Sequence, residues 1–214
     1  MTSERTIALF HSPHTRSSAA LTLLEELGVP FELRVLNMKA GEQRQAAYLA
    51  INPLGKVPAL FDGDTLVTEQ VAIYIHLADR FPQAGLAPSL DDPRRGAYLR
   101  WLVYYAACFE PALMVQSMKY PPAPAMSSPY GDFDSMLGVI EAQLAQGPYL
   151  LGDTLSAADI LWGSALGWSM AFGLVPKRPV LVEYAERMAA RPASRRVEER
   201  DAALAAEHQA ALAA

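Results

Sequence analysis

The chain has 214 residues, of which 51% are hydrophobic and 19% charged, with a single cysteine and a formal net charge of -5. So apolar a chain buries enough surface to offset its folding entropy, which excludes disorder. One cysteine excludes an internal disulfide and any metal site built on several thiolates, and mild acidity argues against a counterion-displacing grip on nucleic acid. The polar start, residues 1–5, and the short apolar run 7–10 lack the length of a signal-peptide core or a membrane span. The expectation is a soluble cytoplasmic protein that handles a small molecule, without metal, nucleic acid or membrane.

In chain order, residues 7–10 read as a buried strand. Ala20, Leu23, Leu24 and Leu27 recur at helical spacing, Gly28 suits a C-terminal cap, and Val29-Pro30 prevents continuation. Phe31, Leu33 and Val35 alternate with Glu32 and Arg34 as a second strand, and a weaker helix over 42–50 ends at Asn52-Pro53. Residues 57–61 and 65–67 flank Asp62-Gly63-Asp64 and predict a hairpin, followed by a helix over 69–81. The order is β-α-β-α-β-β-α, with the first two strands parallel and the last two antiparallel.

Residues 82–93 turn to Pro, Gly, Asp and Ser, and beyond them no strand is predicted. Asp92-Pro93 is expected to cap a long helix through Tyr98, Trp101, Leu102, Tyr105 and Phe109, kinked or interrupted at Pro111. A stiff Pro-rich loop over 120–130 precedes helices over 133–146, 156–172 and 180–190; the Ala-rich tail from Ala202 reads as a surface helix or a frayed end. The domains expected are an α/β unit over 1–82, a linker over 83–91 and an all-helical domain over 92–214. Cys108 is expected to be a buried structural thiol.

Three stretches at element ends could carry chemistry. In Ser12-Pro13-His14-Thr15-Arg16-Ser17, Ser12 is placed as the helix N-cap with Pro13 as the first helical residue. On the motif alone that is first a structural cap, and second a site holding an anion, above all a thiolate, beside Arg16 and the positive helix end. In Asn52-Pro53-Leu54-Gly55-Lys56-Val57-Pro58, Val57-Pro58 is a candidate cis bond. It opens an edge strand, or exposes the Val57 backbone to a peptide-like ligand. Gly55-Lys56 lacks the upstream glycine and the following Ser or Thr of a phosphate loop. In Thr68-Glu69-Gln70, Thr68 can cap a helix with Glu69 in its first turn, and the same turn can recognise an amino-acid head group. His11 and His14 lack a carboxylate nearby in sequence and read as surface or packing residues rather than metal ligands.

Ser-Pro-x-x-Arg after a strand, then Asn-Pro-x-Gly-Lys-Val-Pro-Ala-Leu, then Thr-Glu before an apolar helix, all ahead of a helical half, resembles the cytosolic glutathione S-transferase family. Leu155-Ser156-Ala157-Ala158-Asp159-Ile160 is similar to that family's capping box and hydrophobic staple, a folding motif. The resemblance implies a thioredoxin-like first domain that binds glutathione as co-substrate and a helical domain that supplies a pocket for a small hydrophobic electrophile, in a homodimer. It implies that the Val57 backbone beside cis Pro58 pairs with the cysteinyl part. It also implies that Glu69 meets the γ-glutamyl ammonium and that Gln70 and the helix start meet its carboxylate, although many members have Ser after that Glu. Lys56, Lys39, Gln43 and Arg44 are candidates for the glycyl carboxylate.

Ser12 is the expected catalytic donor to the thiolate, with Arg16 in electrostatic support; Thr15 and Ser17 stand close enough in sequence to compete for the contact. Members that use Tyr on the preceding strand would place it where Phe10 and His11 stand, and those with a later Cys where Arg16 stands. The aromatic and Met side chains of the helical half, among them Trp101, Tyr104, Tyr105, Phe109, Met114, Met118, Trp168 and Phe172, divide between core and pocket. Two other readings stand beside conjugation: glutathione-dependent reduction of peroxides or disulfides, and a transferase-like protein that binds ligands without turnover.

Overall fold

The computed structural model describes residues 6–213, and the polar residues 1–5 lie outside it. By its contacts the chain forms two compact units. One holds the described residues up to Ala84 together with those from Arg191 onward; the other is Gly85–Ala190.

The first unit runs β1 (Ile7–His11), α1 (Arg16–Leu27), β2 (Phe31–Val35), two short 3-10 turns (Met38–Ala40 and Glu42–Arg44), α2 (Ala46–Leu49), β3 (Ala59–Asp62), β4 (Thr65–Thr68) and α3 (Gln70–Arg80). The strands form one sheet in the order β2-β1-β3-β4, with β1 parallel to β2 and antiparallel to β3. Every residue of β1 is buried, as its unbroken apolar run requires of a strand paired on both sides. β2, at the sheet edge, alternates half-buried and exposed residues. α1 ends at Gly28, whose left-handed φ of 65° lets its N–H reach the Leu24 carbonyl. The helix expected over 42–50 is instead broken. Asn37 Oδ1 accepts from the Lys39 and Ala40 amides, and Glu42 accepts from the Asn37 amide at 2.6 Å. These local side-chain bonds outcompete the helical ladder.

The described residues of the tail are helical. α9 (Pro192–Ala213) belongs to the first unit, where it packs on α1, and not to the helical domain in which the sequence reading puts it. Its docking uses few apolar groups, Ala193 and Val197 being buried. Ion pairs do the rest: Arg191 to Glu26 at 2.6 Å, and Arg196 and Arg200 to Glu25 at 2.9 and 3.2 Å. A helix held this way carries no strong apolar stripe, so its partner is invisible in sequence periodicity.

The second unit comprises α4 (Arg95–Tyr104), a π-helical turn (Tyr105–Phe109), α5 (Glu110–Met118), α6 (Phe133–Leu144), α7 (Ala157–Ala171) and α8 (Pro179–Ala189). Its core is aromatic: Trp101, Trp162, Tyr98, Tyr184 and Phe109 are fully buried, and Trp162 donates to the Trp101 carbonyl at 2.9 Å. Asp92 is not the cap of α4. It pairs with Arg94 at 2.7 Å and accepts from the Arg94 amide, and the helix starts one residue later. The helical run is interrupted just before Pro111, by the π turn, but does not end there. Pro111 lacks the N–H for a regular bond and its ring crowds the carbonyl four residues back, and the widened turn before it, closed by the Glu110 amide on the Tyr105 carbonyl, removes the conflict. Asp159 is fully buried and is the hub of α7: its carboxylate accepts from the Ser156 amide and hydroxyl, the Leu150 amide and the Tyr184 hydroxyl.

Candidate functional site

Strand register gathers the motifs of the first unit. Phe10 lies opposite Ala59, His11 opposite Val35, and Ala59 opposite Thr68. The residues that leave β1 and β2, enter β3 and leave β4 therefore sit at one end of the sheet: Ser12, the 37–45 loop, Val57 and Glu69. Phe10, Tyr48, Val57 and Ala59 form a buried cluster beneath them. Phe10 is thus packed inward, and His11 is fully buried.

The turn between β1 and α1 differs from the sequence expectation. Thr15, not Ser12, is the N-cap: its Oγ1 accepts from the Ser17 amide at 3.2 Å and donates to the Ser12 carbonyl at 2.7 Å. Ser12 and Pro13 precede the helix because His14 takes a left-handed φ of 57°, which reverses the chain before the first helical turn. Ser17 is fully buried. Its Oγ accepts from the Ser12 amide at 3.1 Å and lies 2.9 Å from His11 Nδ1. Ser12 itself is 3% exposed. None of the hydrogen bonds among the described residues uses its hydroxyl, whereas those of Thr15 and Ser17 are committed within the turn. Arg16 opens α1 and is exposed; its carbonyl accepts from Gln70 Nε2 at 3.0 Å.

At the entry to β3 the Val57-Pro58 bond is cis. The Lys56 carbonyl is doubly held, accepting from the Tyr48 hydroxyl at 2.6 Å and Asn52 Nδ2 at 2.9 Å. Burial pushes the Tyr48 hydroxyl up to about 12, so it stays a donor across the working pH range. The Val57 N–H and C=O take part in no hydrogen bond among the described residues, which leaves a donor and an acceptor side by side. Gly55, at φ 60°, passes so close to the preceding loop that a Cβ would lie 2.8 Å from the Gln43 carbonyl.

Glu69 is exposed and has φ 66°, a conformation costing a non-glycine residue of order 1–3 kcal/mol. It stands just before α3, so neither the expected Thr68 cap nor a place for Glu69 in the first turn is found. Gln70 turns inward to the Arg16 carbonyl, tying the starts of α1 and α3 together. Lys39, Arg44 and Lys56 are exposed. Lys39 reaches Gln209 of α9 at 3.4 Å, and Arg44 the Leu54 carbonyl at 3.4 Å.

Sequence reasoning missed Asp201. This carboxylate of α9, nearly buried, accepts from the His14 amide at 2.8 Å and the Ser18 hydroxyl at 2.5 Å, and its other oxygen lies 2.9 Å from His11 Nε2. The approach to His11 is close but off the N–H line, an electrostatic contact rather than an aligned hydrogen bond. Burial raises its pKa, but the contacts with His11, Ser18 and the His14 amide prevail and hold it below the ordinary carboxylate value. Nothing local signals the pairing, since Asp201 is 187 residues from His14. The second unit corrects one expectation. Cys108 is partly exposed, not buried, and lies 3.7 Å from the Pro129 carbonyl. Of the side chains expected to divide between core and pocket, Trp101, Tyr105 and Phe109 are buried, while Met114, Met118, Trp168 and Phe172 are exposed. Among the described residues no group of His, Cys, Asp and Glu is placed to hold a metal ion, and no helix is long and apolar enough to cross a membrane.

Comparison with known proteins agrees with this arrangement. Residues 5–79 match the family model of the glutathione S-transferase N-terminal domain, and residues 112–192 that of the C-terminal domain. Glutathione S-transferase F10 of Arabidopsis thaliana is 35% identical over 156 residues, which cover 67% of this chain and 72% of that protein. The solved glutathione transferase of Methylococcus capsulatus is 31% identical with a TM-score of 0.77, over 92% of this chain and 99% of that one. A sphingomonad glutathione S-transferase, solved in complex with glutathione, is 30% identical with a TM-score of 0.75, over 91% and 98% of the two chains. The architecture is accordingly a thioredoxin-like α/β domain with an all-α domain, and the chain belongs to the glutathione S-transferase family.

Proposed function

We propose that this glutathione transferase binds its co-substrate across the end of the sheet and conjugates the thiolate to a small hydrophobic electrophile, with the Ser12 hydroxyl as hydrogen-bond donor to sulfur. The observation that carries the reading is that Ser12 Oγ alone among the hydroxyls of its turn is uncommitted, at the sheet end where the Val57 backbone is also free to pair. A hydroxyl donor favours the charged form of the thiol, and the start of α1 with exposed Arg16 adds positive potential. The sulfur then attacks the electrophilic carbon, and the leaving group departs with the bonding pair. Near burial of Ser12 strengthens its contact with the thiolate by excluding water.

In this reading the Val57 N–H and C=O pair with the cysteinyl residue as an added strand would. Glu69, set outward by its unusual backbone, takes the γ-glutamyl ammonium, and the α3 start with Gln70 takes the adjoining carboxylate. Lys39, Arg44 and Lys56 serve the glycyl carboxylate as a basic rim. The exposed apolar side chains of the second unit, including the Trp168–Phe172 pair with ring centroids 4.8 Å apart, suit an apolar electrophile. A homodimer in the cytoplasm completes the proposal. The named relatives are transferases, which favours conjugation over the peroxide-reducing and non-catalytic alternatives.

The test is Ser12→Ala, assayed with glutathione and an activated aryl halide, together with ultraviolet titration of the bound thiol. Loss of one preorganised donor is expected to lower kcat roughly a hundredfold and to raise the thiol pKa, with calorimetric affinity for glutathione little changed. Unchanged turnover and an unchanged thiol pKa would remove Ser12 from the mechanism.

A further inference from the structure

We propose that Asp201 of the C-terminal helix is a positioning residue of the glutathione site, setting the turn that presents the Ser12 hydroxyl through His11, Ser17 and the His14 backbone. The inference rests on the role proposed for Ser12.

The chain of contacts is continuous. Asp201 Oδ1 lies 2.9 Å from His11 Nε2, His11 Nδ1 lies 2.9 Å from Ser17 Oγ, and Ser17 Oγ accepts from the Ser12 amide at 3.1 Å. Asp201 Oδ2 holds the same turn a second time, through the His14 amide at 2.8 Å and the Ser18 hydroxyl at 2.5 Å. The His14 contact falls on the residue whose φ is 57°. A non-glycine residue keeps such a conformation only where its surroundings over-determine it, and the carboxylate supplies that constraint from a helix 187 residues away.

Carboxylate, imidazole and hydroxyl in series are the parts of a nucleophilic triad, but His11 and Ser17 are fully buried and Asp201 nearly so. No substrate atom reaches the His11 imidazole or the Ser17 hydroxyl, both 0% exposed, so orientation is what the series can deliver. Ser17 meets His11 as donor or acceptor, according to which ring nitrogen carries the proton, and still accepts from the Ser12 amide.

Asp201 is not alone in holding α9 in place. Arg191, Arg196 and Arg200 pair with Glu26 and Glu25, and Val197 and Ala193 are buried. A carboxylate spent wholly on one turn, beside a helix already clamped by other groups, is a device for that turn. Asn in its place keeps the shape but offers one acceptor oxygen and turns an amide donor toward a donor already there, so one anchor of the turn is lost.

The experiment measures kcat with glutathione and an activated aryl halide, KM for glutathione, and the ultraviolet titration of the bound thiol in five proteins. These are wild type, Asp201→Asn, Asp201→Glu, Ser12→Ala and the double variant Ser12→Ala/Asp201→Asn. Asp201→Asn is expected to lower kcat about tenfold and raise the bound-thiol pKa with KM within twofold, Asp201→Glu to restore part of both, and the double variant to be no worse than Ser12→Ala. Should Asp201→Asn fail to fold, Ser17→Ala cuts the same series without touching α9 and is expected to show the same kcat and thiol-pKa signature. Wild-type kcat and thiol pKa in Asp201→Asn, or fully additive losses in the double variant, would overturn the inference while a defective Ser12→Ala leaves the Ser12 reading intact. An undiminished Ser12→Ala would instead overturn the Ser12 reading, and the inference with it.

Discussion

At the scale of single residues, chemistry is assigned by what each polar atom is already doing. Ser12, Thr15 and Ser17 all carry hydroxyls within six residues, and composition cannot rank them. In the folded turn Thr15 caps α1, Ser17 bridges His11 and the Ser12 amide, and only the Ser12 hydroxyl is left to meet a ligand. The same accounting makes the doubly held Lys56 carbonyl a support for the free Val57 amide beside it. Cys108 is the reverse case, a thiol that lacks activation. Burial pushes it above the ordinary thiol value, and Arg100 offsets only part of that rise. Since only the thiolate reacts, iodoacetamide at pH 8 is expected to label this sole cysteine more slowly than free cysteine. Its rate should still climb at pH values where free cysteine has levelled. A labelling plateau at or below that of free cysteine would contradict the shift. The reactive sulfur of the proposed reaction therefore arrives with glutathione.

Elements show where local signals end. The β3–β4 hairpin and the Gly28 cap were legible because each is decided within a few residues, by an Asp-Gly turn and by a glycine at positive φ. The cis Val57-Pro58 bond was likewise readable from its dipeptide. The start of α1 is misplaced because several polar residues in succession can each cap, and the turn before the helix selects Thr15, whereas α3 and α4 start later than expected with no side-chain cap at all. Packing between elements is closer than sequence shows at Gly163 of α7, where a Cβ would stand 2.3 Å from Met188 Cβ of α8. Gly163→Ala is therefore expected to destabilise the protein by about 1–3 kcal/mol through overpacking, despite the better helix propensity of Ala. Urea unfolding measures it, and an unchanged or raised midpoint would show that α8 yields without cost. Gly167, whose Cβ would meet nothing nearer than 4.0 Å, is the matching control, where Ala should be neutral or stabilising.

On the scale of the whole molecule, the chain returns to its first unit after the second, so α9 joins a unit from which it is far removed in sequence. The proposed homodimer belongs at this scale too. Sedimentation velocity at micromolar protein is expected to give twice the chain mass, and a single species at the chain mass would refute it. By itself the sequence determined the order of strands and helices, the place of the motifs at ends of elements, and the family. Alternation, caps and turn residues act over a few positions and need no distant partner. Only the tertiary structure decided that α9 belongs with the first unit, that a π turn accommodates Pro111, that Cys108 is partly exposed, and that Asp201 stands behind His11. The places of α9 and of Asp201 depend on groups far apart in sequence, joined by ion pairs and buried polar contacts whose energy exists only once burial has removed water and brought the partners together.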